Sequence, residues 1–333
     1  MIITLHDDAD VGRLRAELAD LGLWVQEYAG DRGSTQFLVH SHSGEVDRAR
    51  LLALAGVADV SGPPARHPLV DASASVARVA GVDIGGEAPP VLMAGPCSVE
   101  SEDQIHTVAR RLAESGATFL RGGAFKPRTS PYDFQGVGRD ALGWLREAAD
   151  AHGLRVVTEA MSESAMEAVA EVADLIQIGS RNMHSTPLLR AAGRTGRPVL
   201  VKRGMAATLD EWLSAAEYCL DAGAPAVVFC ERGIRSFDDR TRNLLDLATV
   251  ALLRHVHELP VIVDPSHGLG RRDLVVPLSR AALAAGAAGL LVEVHPNPGA
   301  ALSDGPQAVS FGTADELARL IGAEPATLVA GES

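Results

Sequence analysis

The chain has 333 residues, is 47% hydrophobic but only 4% aromatic, and carries a formal net charge of −13. That length suits one large domain with a small companion, and the composition supports a large aliphatic core. The acidic balance argues against nucleic acid and anionic membrane as partners, while leaving room for a local basic cluster that focuses field on a phosphorylated metabolite.

Residues 1–63 read as a unit of their own. Ile2 to Leu5 predicts a strand, and Asp10 to Leu21 a helix with Val11, Leu14 and Leu18 at helical spacing. Leu23 to Tyr28 and Thr35 to Val39 predict two strands around the turn-rich Gly30-Asp-Arg-Gly33. Val46 to Leu54 predicts a helix and Val57 to Val60 a strand. The order βαββαβ predicts a small ferredoxin-like α+β domain, a common regulatory module. Residues 64–88 read as a linker and a small hairpin. Pro63-Pro-Ala-Arg-His-Pro68 is stiffened by prolines, and Val76 to Ile84 is broken by Ala80-Gly81.

Over residues 89–333 the texture becomes strand, loop, helix, repeated. Short apolar runs predict strands at Val91–Ala94, Thr118–Arg121, Val156–Glu159, Leu175–Ile178, Val199–Lys202, Val227–Cys230, Val261–Asp264 and Leu290–Val294. Such runs suit strands of a parallel sheet buried on both faces. Helical patterns lie between them, among them Asp103–Ser115, Gly138–His152, Leu209–Asp221 and Leu274–Ala285. Eight βα units around one closed core make an α/β chain of (β/α)8 TIM-barrel type. An open doubly wound sheet is the rival, but no Gly-x-Gly-x-x-Gly opens a helix after the first strand.

Barrel chemistry sits at the C-terminal ends of the strands, and here nearly every such end is polar. Of thirty basic residues only Lys126 and Lys202 are lysines, each just beyond such an apolar run. In a chain that otherwise uses arginine, a compact ammonium group at these positions reads as a chemical requirement. Arg121, Lys126, Arg128, Arg181, Lys202 and Arg232 would converge on one rim, a charge that suits two phosphates or a phosphate and a carboxylate. Cys97, His267, Glu293 and Asp304 together have the thiolate, imidazole and carboxylate character of a divalent metal site. Their long, irregular spacing makes that signal weak by itself, and His295 and His184 are rivals to His267. The three cysteines, Cys97, Cys219 and Cys230, do not form a disulfide framework. With no basic, apolar leader at Met1 and no long apolar run, the cytoplasm is the expected compartment.

The stretches Ala94-Gly-Pro-Cys97-Ser-Val-Glu100, Arg121 to Gly136, Gln177-Ile-Gly-Ser-Arg181-Asn and Asp264-Pro-Ser-His267 resemble 3-deoxy-D-arabino-heptulosonate 7-phosphate (DAHP) synthase. The chain is similar to its short type I subgroup with an N-terminal ferredoxin-like regulatory domain, from Met1 to about Ser310. The resemblance implies condensation of phosphoenolpyruvate with erythrose 4-phosphate, the first step of the shikimate pathway. It implies a divalent ion (Mn²⁺, Co²⁺, Fe²⁺ or Zn²⁺) on Cys97, His267, Glu293 and Asp304. Arg121, Lys126, Ser180, Arg181, Lys202 and Arg232 would hold phosphoenolpyruvate, while Lys126, Pro127, Arg128 and Thr129 would meet erythrose 4-phosphate. Lys126 or a metal-bound water would act as proton donor, and Glu159 or a metal-bound water would orient the water that adds. In related 3-deoxy-D-manno-octulosonate 8-phosphate synthases the loop is expected to read Lys-Ala-Asn-Arg-Ser, so Lys126-Pro-Arg-Thr-Ser130 favours erythrose 4-phosphate over arabinose 5-phosphate. A homotetramer and an aromatic amino-acid inhibitor at the N-terminal domain are also implied, although Gln26-Glu-Tyr28-Ala-Gly30 departs from the small polar residues that go with such inhibition. Two other readings stand beside this one. One is a Schiff-base aldolase using a strand-end lysine. The other is a silent ligand-binding relative, against which the complete Cys/His/Glu/Asp set argues.

Overall fold

A computed structural model describes residues 1–29, 34–40, 43–44, 46–62, 66–126, 132 and 134–322. The chain divides into two compact units, Met1–Arg66 and His67–Ser333.

In the first unit the elements run β1 (Ile2–Leu5), α1 (Val11–Asp20), β2 (Val25–Ala29), β3 (Thr35–Val39), α2 (Arg48–Leu52) and β4 (Val57–Ser61). The strands form one antiparallel sheet in the order β2-β3-β1-β4, the pairing expected of a βαββαβ unit. Its core is Ile3, Leu5, Leu14, Leu18, Phe37, Leu51 and Val60. Helix α2 is shorter than the apolar pattern predicts. Asp47 takes non-helical angles and caps it instead, accepting from the Ala49 amide at 3.1 Å.

The second unit begins with a helix that the sequence disguises as linker, α3 (Pro68–Asp71). Pro68 fits the first helical position, where no amide hydrogen is required. The Leu69 and Val70 amides each donate to the Glu217 carboxylate at 2.9 Å, a cap from a residue far along the chain. The hairpin β5 (Val76–Val79) and β6 (Val82–Gly85) follows, turning through Ala80 and Gly81, both at positive φ as a type I′ turn requires.

Eight parallel strands then close a barrel: β7 (Val91–Gly95), β8 (Phe119–Arg121), β9 (Arg155–Ala160), β10 (Leu175–Ile178), β11 (Val199–Lys202), β12 (Val227–Glu231), β13 (Val261–Val263) and β14 (Gly289–Glu293). The helices between and after them are α4 (Glu102–Ser115), α5 (Arg139–Ala151), α6 (Glu163–Val172), α7 (Thr186–Arg194), α8 (Leu209–Asp221), α9 (Leu247–His255), α10 (Pro265–Leu269), α11 (Val275–Ala284) and α12 (Phe311–Leu320). Side chains alternate along each strand. Val199 and Val201 pack outward under the helices, while Leu200 points into the barrel, and β12 repeats the pattern with Val227 and Phe229 outward and Val228 and Cys230 inward. The hairpin residues Ala77, Val79 and Ile84 join that inner cluster, covering its N-terminal side.

Candidate active site and metal centre

The inward parity continues past the apolar core. Two residues beyond Phe119, Val157, Leu175, Leu200, Ile262 and Leu291 stand Arg121, Glu159, Gln177, Lys202, Asp264 and Glu293, so period-two geometry aims all six at the barrel's C-terminal mouth. Two glycines leave the space these groups need. A Cβ at Gly179 would lie 2.0 Å from the Glu159 carboxylate, and one at Gly123 would lie 2.6 Å from the Lys126 ammonium.

Cys97, His267, Glu293 and Asp304 come together. The Cys97 Sγ lies 3.0 Å from Asp304 Oδ2 and receives the Lys126 Nζ at 3.1 Å. His267 Nε2 is 3.1 Å from Glu293 Oε1, while its Nδ1 is 2.7 Å from Asp264 Oδ2. Asp264 thereby orients the imidazole with Nε2 toward the cluster, as carboxylates do behind metal-binding histidines. Ligand atoms bonded to one ion at about 2.0–2.3 Å stand about 3.3–4.6 Å apart. The four donor atoms here all lie within 4.8 Å of one another, so one thiolate, one imidazole and two carboxylates fit a divalent ion. Burial alone would lower the pKa of His267, but Asp264 and Glu293 outweigh it and push the value up to about 10. Burial alone would raise Glu293, but His267 and Arg121 hold it well below the usual carboxylate range. A metal ion at the cluster must displace the imidazole proton.

Beside the cluster is a cavity of about 260 Å³ lined by Arg121, Lys126, Arg181, Lys202, Arg232 and Arg242, against the carboxylates Glu159 and Asp304. Arg121, Lys126, Lys202 and Arg232 are buried. Arg121 donates to the Pro96 carbonyl at 2.9 Å and to Glu293 at 3.2 Å, and Lys202 is ion-paired with Asp264. Arg232 donates to the Gly233 carbonyl at 3.3 Å, and no carboxylate among the described residues lies within ion-pair reach of it. Burial lowers its pKa and Arg242 adds to that, against the pull of Asp264. The cavity therefore concentrates positive charge inside an acidic protein and suits an anion with several oxygens.

Ser180 and Arg181 also line this cavity, on the short turn Ser180–Asn182 that follows β10. Glu159 is there too, receiving Gln177 Nε2 at 3.2 Å. Pro127, Arg128 and Thr129 lie outside the described residues. The rival histidines are elsewhere. β14 ends at Glu293, so the strand parity no longer applies at His295, whose Nε2 lies 3.4 Å from Glu100 and whose Nδ1 accepts from the Asn297 amide. His184 is exposed on the loop before α7. Arg203 and Glu231, polar strand ends in the sequence, face away from the cavity. Arg203 bridges Glu231 at 3.0 Å and Asp246 at 2.8 Å beneath the helices. Gln177 and the structural role of Asp264 could have been read from inward parity. Arg242 and Gln307 could not, because they arrive from loops with no repeating pattern. No helix among the described residues is long and apolar enough to cross a membrane.

The sequence model of the DAHP synthetase I family matches residues 69–328. The chain belongs to the DAHP synthetase I family. Similar to it is the phospho-2-dehydro-3-deoxyheptonate aldolase of Thermotoga maritima, 54% identical over 226 residues, 68% of this chain and 67% of that protein. The crystal structure of the DAHP synthase of Thermotoga maritima superimposes with a TM-score of 0.75 at 41% identity, covering 96% of each chain. The 2-dehydro-3-deoxyphosphooctonate aldolase of Acidithiobacillus ferrooxidans is 34% identical over 263 residues, 73% of this chain and 92% of that one. The proteins similar to this chain thus include enzymes named for products of two sugar lengths. The barrel, its inward polar rim and the cysteine-containing cluster described above all fall within the family match.

Proposed function

We propose that this chain condenses phosphoenolpyruvate with erythrose 4-phosphate to give DAHP and phosphate, the first step of the shikimate pathway. The observation that carries this reading is the adjacency of the buried cations Arg121, Lys126, Lys202 and Arg232 to the Cys97, His267, Glu293 and Asp304 cluster. Those cations, with Ser180 and Arg181, hold the carboxylate and phosphate of phosphoenolpyruvate, and the guanidinium groups of Arg121, Arg181 and Arg232 act as fixed, preorganised charge because they do not release protons. A divalent ion bound by the cluster supplies Lewis-acid polarisation of the aldehyde carbonyl. C3 of phosphoenolpyruvate then forms the new bond to the aldehyde carbon. Lys126, at the junction of cluster and cavity, delivers a proton to the aldehyde oxygen. Glu159, held by Gln177, orients the water that adds at C2; as the C–O bond to phosphate breaks and the C2 carbonyl forms, one proton of that water leaves with the phosphate and the other restores Lys126. Pro127, Arg128 and Thr129 meet erythrose 4-phosphate.

Lys202 is engaged by Asp264 in an ion pair, which disfavours this lysine as the nucleophile of a Schiff base. The metal is Mn²⁺, Fe²⁺, Co²⁺ or Zn²⁺, with availability deciding among them. We assign residues 1–63 as a regulatory unit for which an aromatic amino acid is the ligand to test, residues 89–333 as the catalytic barrel, and the working enzyme as a cytoplasmic homotetramer. The deciding experiment measures phosphate release from phosphoenolpyruvate with erythrose 4-phosphate, with arabinose 5-phosphate and with neither. Release that requires erythrose 4-phosphate, stops with a chelator and returns with Mn²⁺ or Co²⁺ is the expected result. Preference for arabinose 5-phosphate, or indifference to chelator, would overturn it. Adding tyrosine and phenylalanine to the same assay tests the regulatory unit, and light scattering tests the tetramer.

A further inference from the structure

We propose that Gln307 is a positioning residue whose side-chain amide sets the rotation of the Glu293 carboxylate and, through Arg242, ties it to Asp304. The inference rests on the reading above that Glu293 and Asp304 hold the ion.

Gln307 is buried in the loop between β14 and α12, one turn beyond Asp304, whose carbonyl accepts from the Gln307 amide at 3.1 Å. Asp304 itself takes φ of +52°, a left-handed angle uncommon for a residue with a side chain, so this loop must be held by its surroundings. The Gln307 side chain reaches in two directions. Its Nε2 donates to Glu293 Oε2 at 2.6 Å, and its Oε1 accepts from Arg242 Nη1 at 3.1 Å. The same guanidinium nitrogen lies 3.6 Å from Asp304 Oδ1. Arg242 is in turn anchored through its backbone amide to the Leu269 carbonyl at 2.9 Å, at the end of the helix that carries His267. One chain of contacts thus joins the three segments bearing His267, Glu293 and Asp304.

The chemistry of the bridge selects an amide. A carboxylate only accepts and a guanidinium only donates, so the group between them must do both. Glutamate at this position would place two carboxylates face to face in the interior, and an apolar residue would leave both neighbours unmet. The bridge also divides the oxygens of Glu293. Oε2 is taken by Gln307, while Oε1 faces His267 Nε2 at 3.1 Å and Arg121 at 3.2 Å. Gln307 therefore keeps Oε1 directed at the point that His267 also addresses.

The test uses the full chain, stripped of metal and titrated with Co²⁺. Affinity, thiolate charge-transfer absorption and ligand-field bands are read for wild type, Gln307→Met, Gln307→Glu, Arg242→Met, the Gln307→Met/Arg242→Met double variant and Cys97→Ala. The melting temperature of each metal-free protein is recorded alongside. Gln307→Met is expected to weaken Co²⁺ about 10–100-fold, the loss typical when a group behind a metal ligand is removed. It should also shift the ligand-field bands while the metal-free protein melts as wild type. Arg242→Met should cost less, and the double variant should cost less than the sum of the two, since both act through one bridge. Gln307→Met with wild-type affinity and bands, while Cys97→Ala abolishes the charge-transfer band, overturns the positioning role alone. So does an affinity loss in Gln307→Met that merely follows a large fall in metal-free melting temperature while Arg242→Met, melting as wild type, binds Co²⁺ unchanged. A charge-transfer band that survives in Cys97→Ala overturns the metal reading beneath it.

Discussion

The lower and upper halves of the barrel interior share the same inward-facing parity, and on six of the eight strands they have opposite chemistry. Below lie Met93, Phe119, Val157, Leu175, Leu200, Val228, Ile262 and Leu291, buried beside the hairpin residues Ala77, Val79 and Ile84. Above, one strand period further on, lie Arg121, Glu159, Gln177, Lys202, Asp264 and Glu293. Burying charges costs several kcal/mol each before pairing repays any of it. The apolar half supplies the burial that offsets this cost and seals one side of the cavity from water. The polar half is then free to hold cations such as Arg232 that serve a ligand rather than the fold.

That contrast breaks most sharply at Lys126. Lys126→Arg keeps the charge but not the compact, transferable proton, so kcat is expected to fall about 10²–10⁴-fold, the usual worth of general acid catalysis. The melting temperature should stay within a few degrees of wild type, and near-normal turnover would remove Lys126 from its role. Leu200→Ala, two residues below Lys202 on the same face, should do the reverse. It should lose about 2–5 kcal/mol of stability in urea titrations, with kcat per folded molecule little changed. A large kcat loss there would mean that the two halves are not separable.

Arg232→Met should raise KM for phosphoenolpyruvate about 10–100-fold, as expected for loss of a charged hydrogen bond worth about 1.5–3 kcal/mol. Removing an unmatched buried cation should leave the metal-free protein as stable as wild type or more so, and a marked drop in melting temperature would show that Arg232 serves the fold. The smallest effect concerns thiols. Burial pushes the Cys219 thiol up to about 12, and Cys230 higher still, so neither should alkylate at pH 8 in the native protein. Cys97, at the cavity, is the thiol expected to react, and bound Mn²⁺ or Co²⁺ should protect it. Mass spectrometry of the labelled peptides reads this directly, and label on Cys219 or Cys230 in folded protein would contradict the burial argument.

The eight strands and most of their inward polar ends were legible because they depend on local periodicity. An apolar run of four or five residues carries its own alternation, and Leu200 followed by Lys202 states which face meets the site. The hairpin at Ala80-Gly81 was legible for the same reason, since two adjacent residues determine the turn. Helix α3 was not, because its cap comes from Glu217. His295 shares strand parity with Glu293 in the sequence, yet the strand stops first and the imidazole Nε2 lies 3.4 Å from Glu100 instead of at the cluster.

The sequence by itself determined the barrel, the parity of its side chains and the family motifs, because each is written within a few consecutive residues. Tertiary structure decided which distant groups meet. Cys97 and Asp304 lie 207 residues apart in the chain and 3.0 Å apart in space. Gln307 and Arg242 join them from loops without periodicity, where only chain closure around the barrel sets the distance. Local order follows from backbone sterics and the alternation of side chains, whereas a site assembled from the ends of many strands exists only once the barrel has closed.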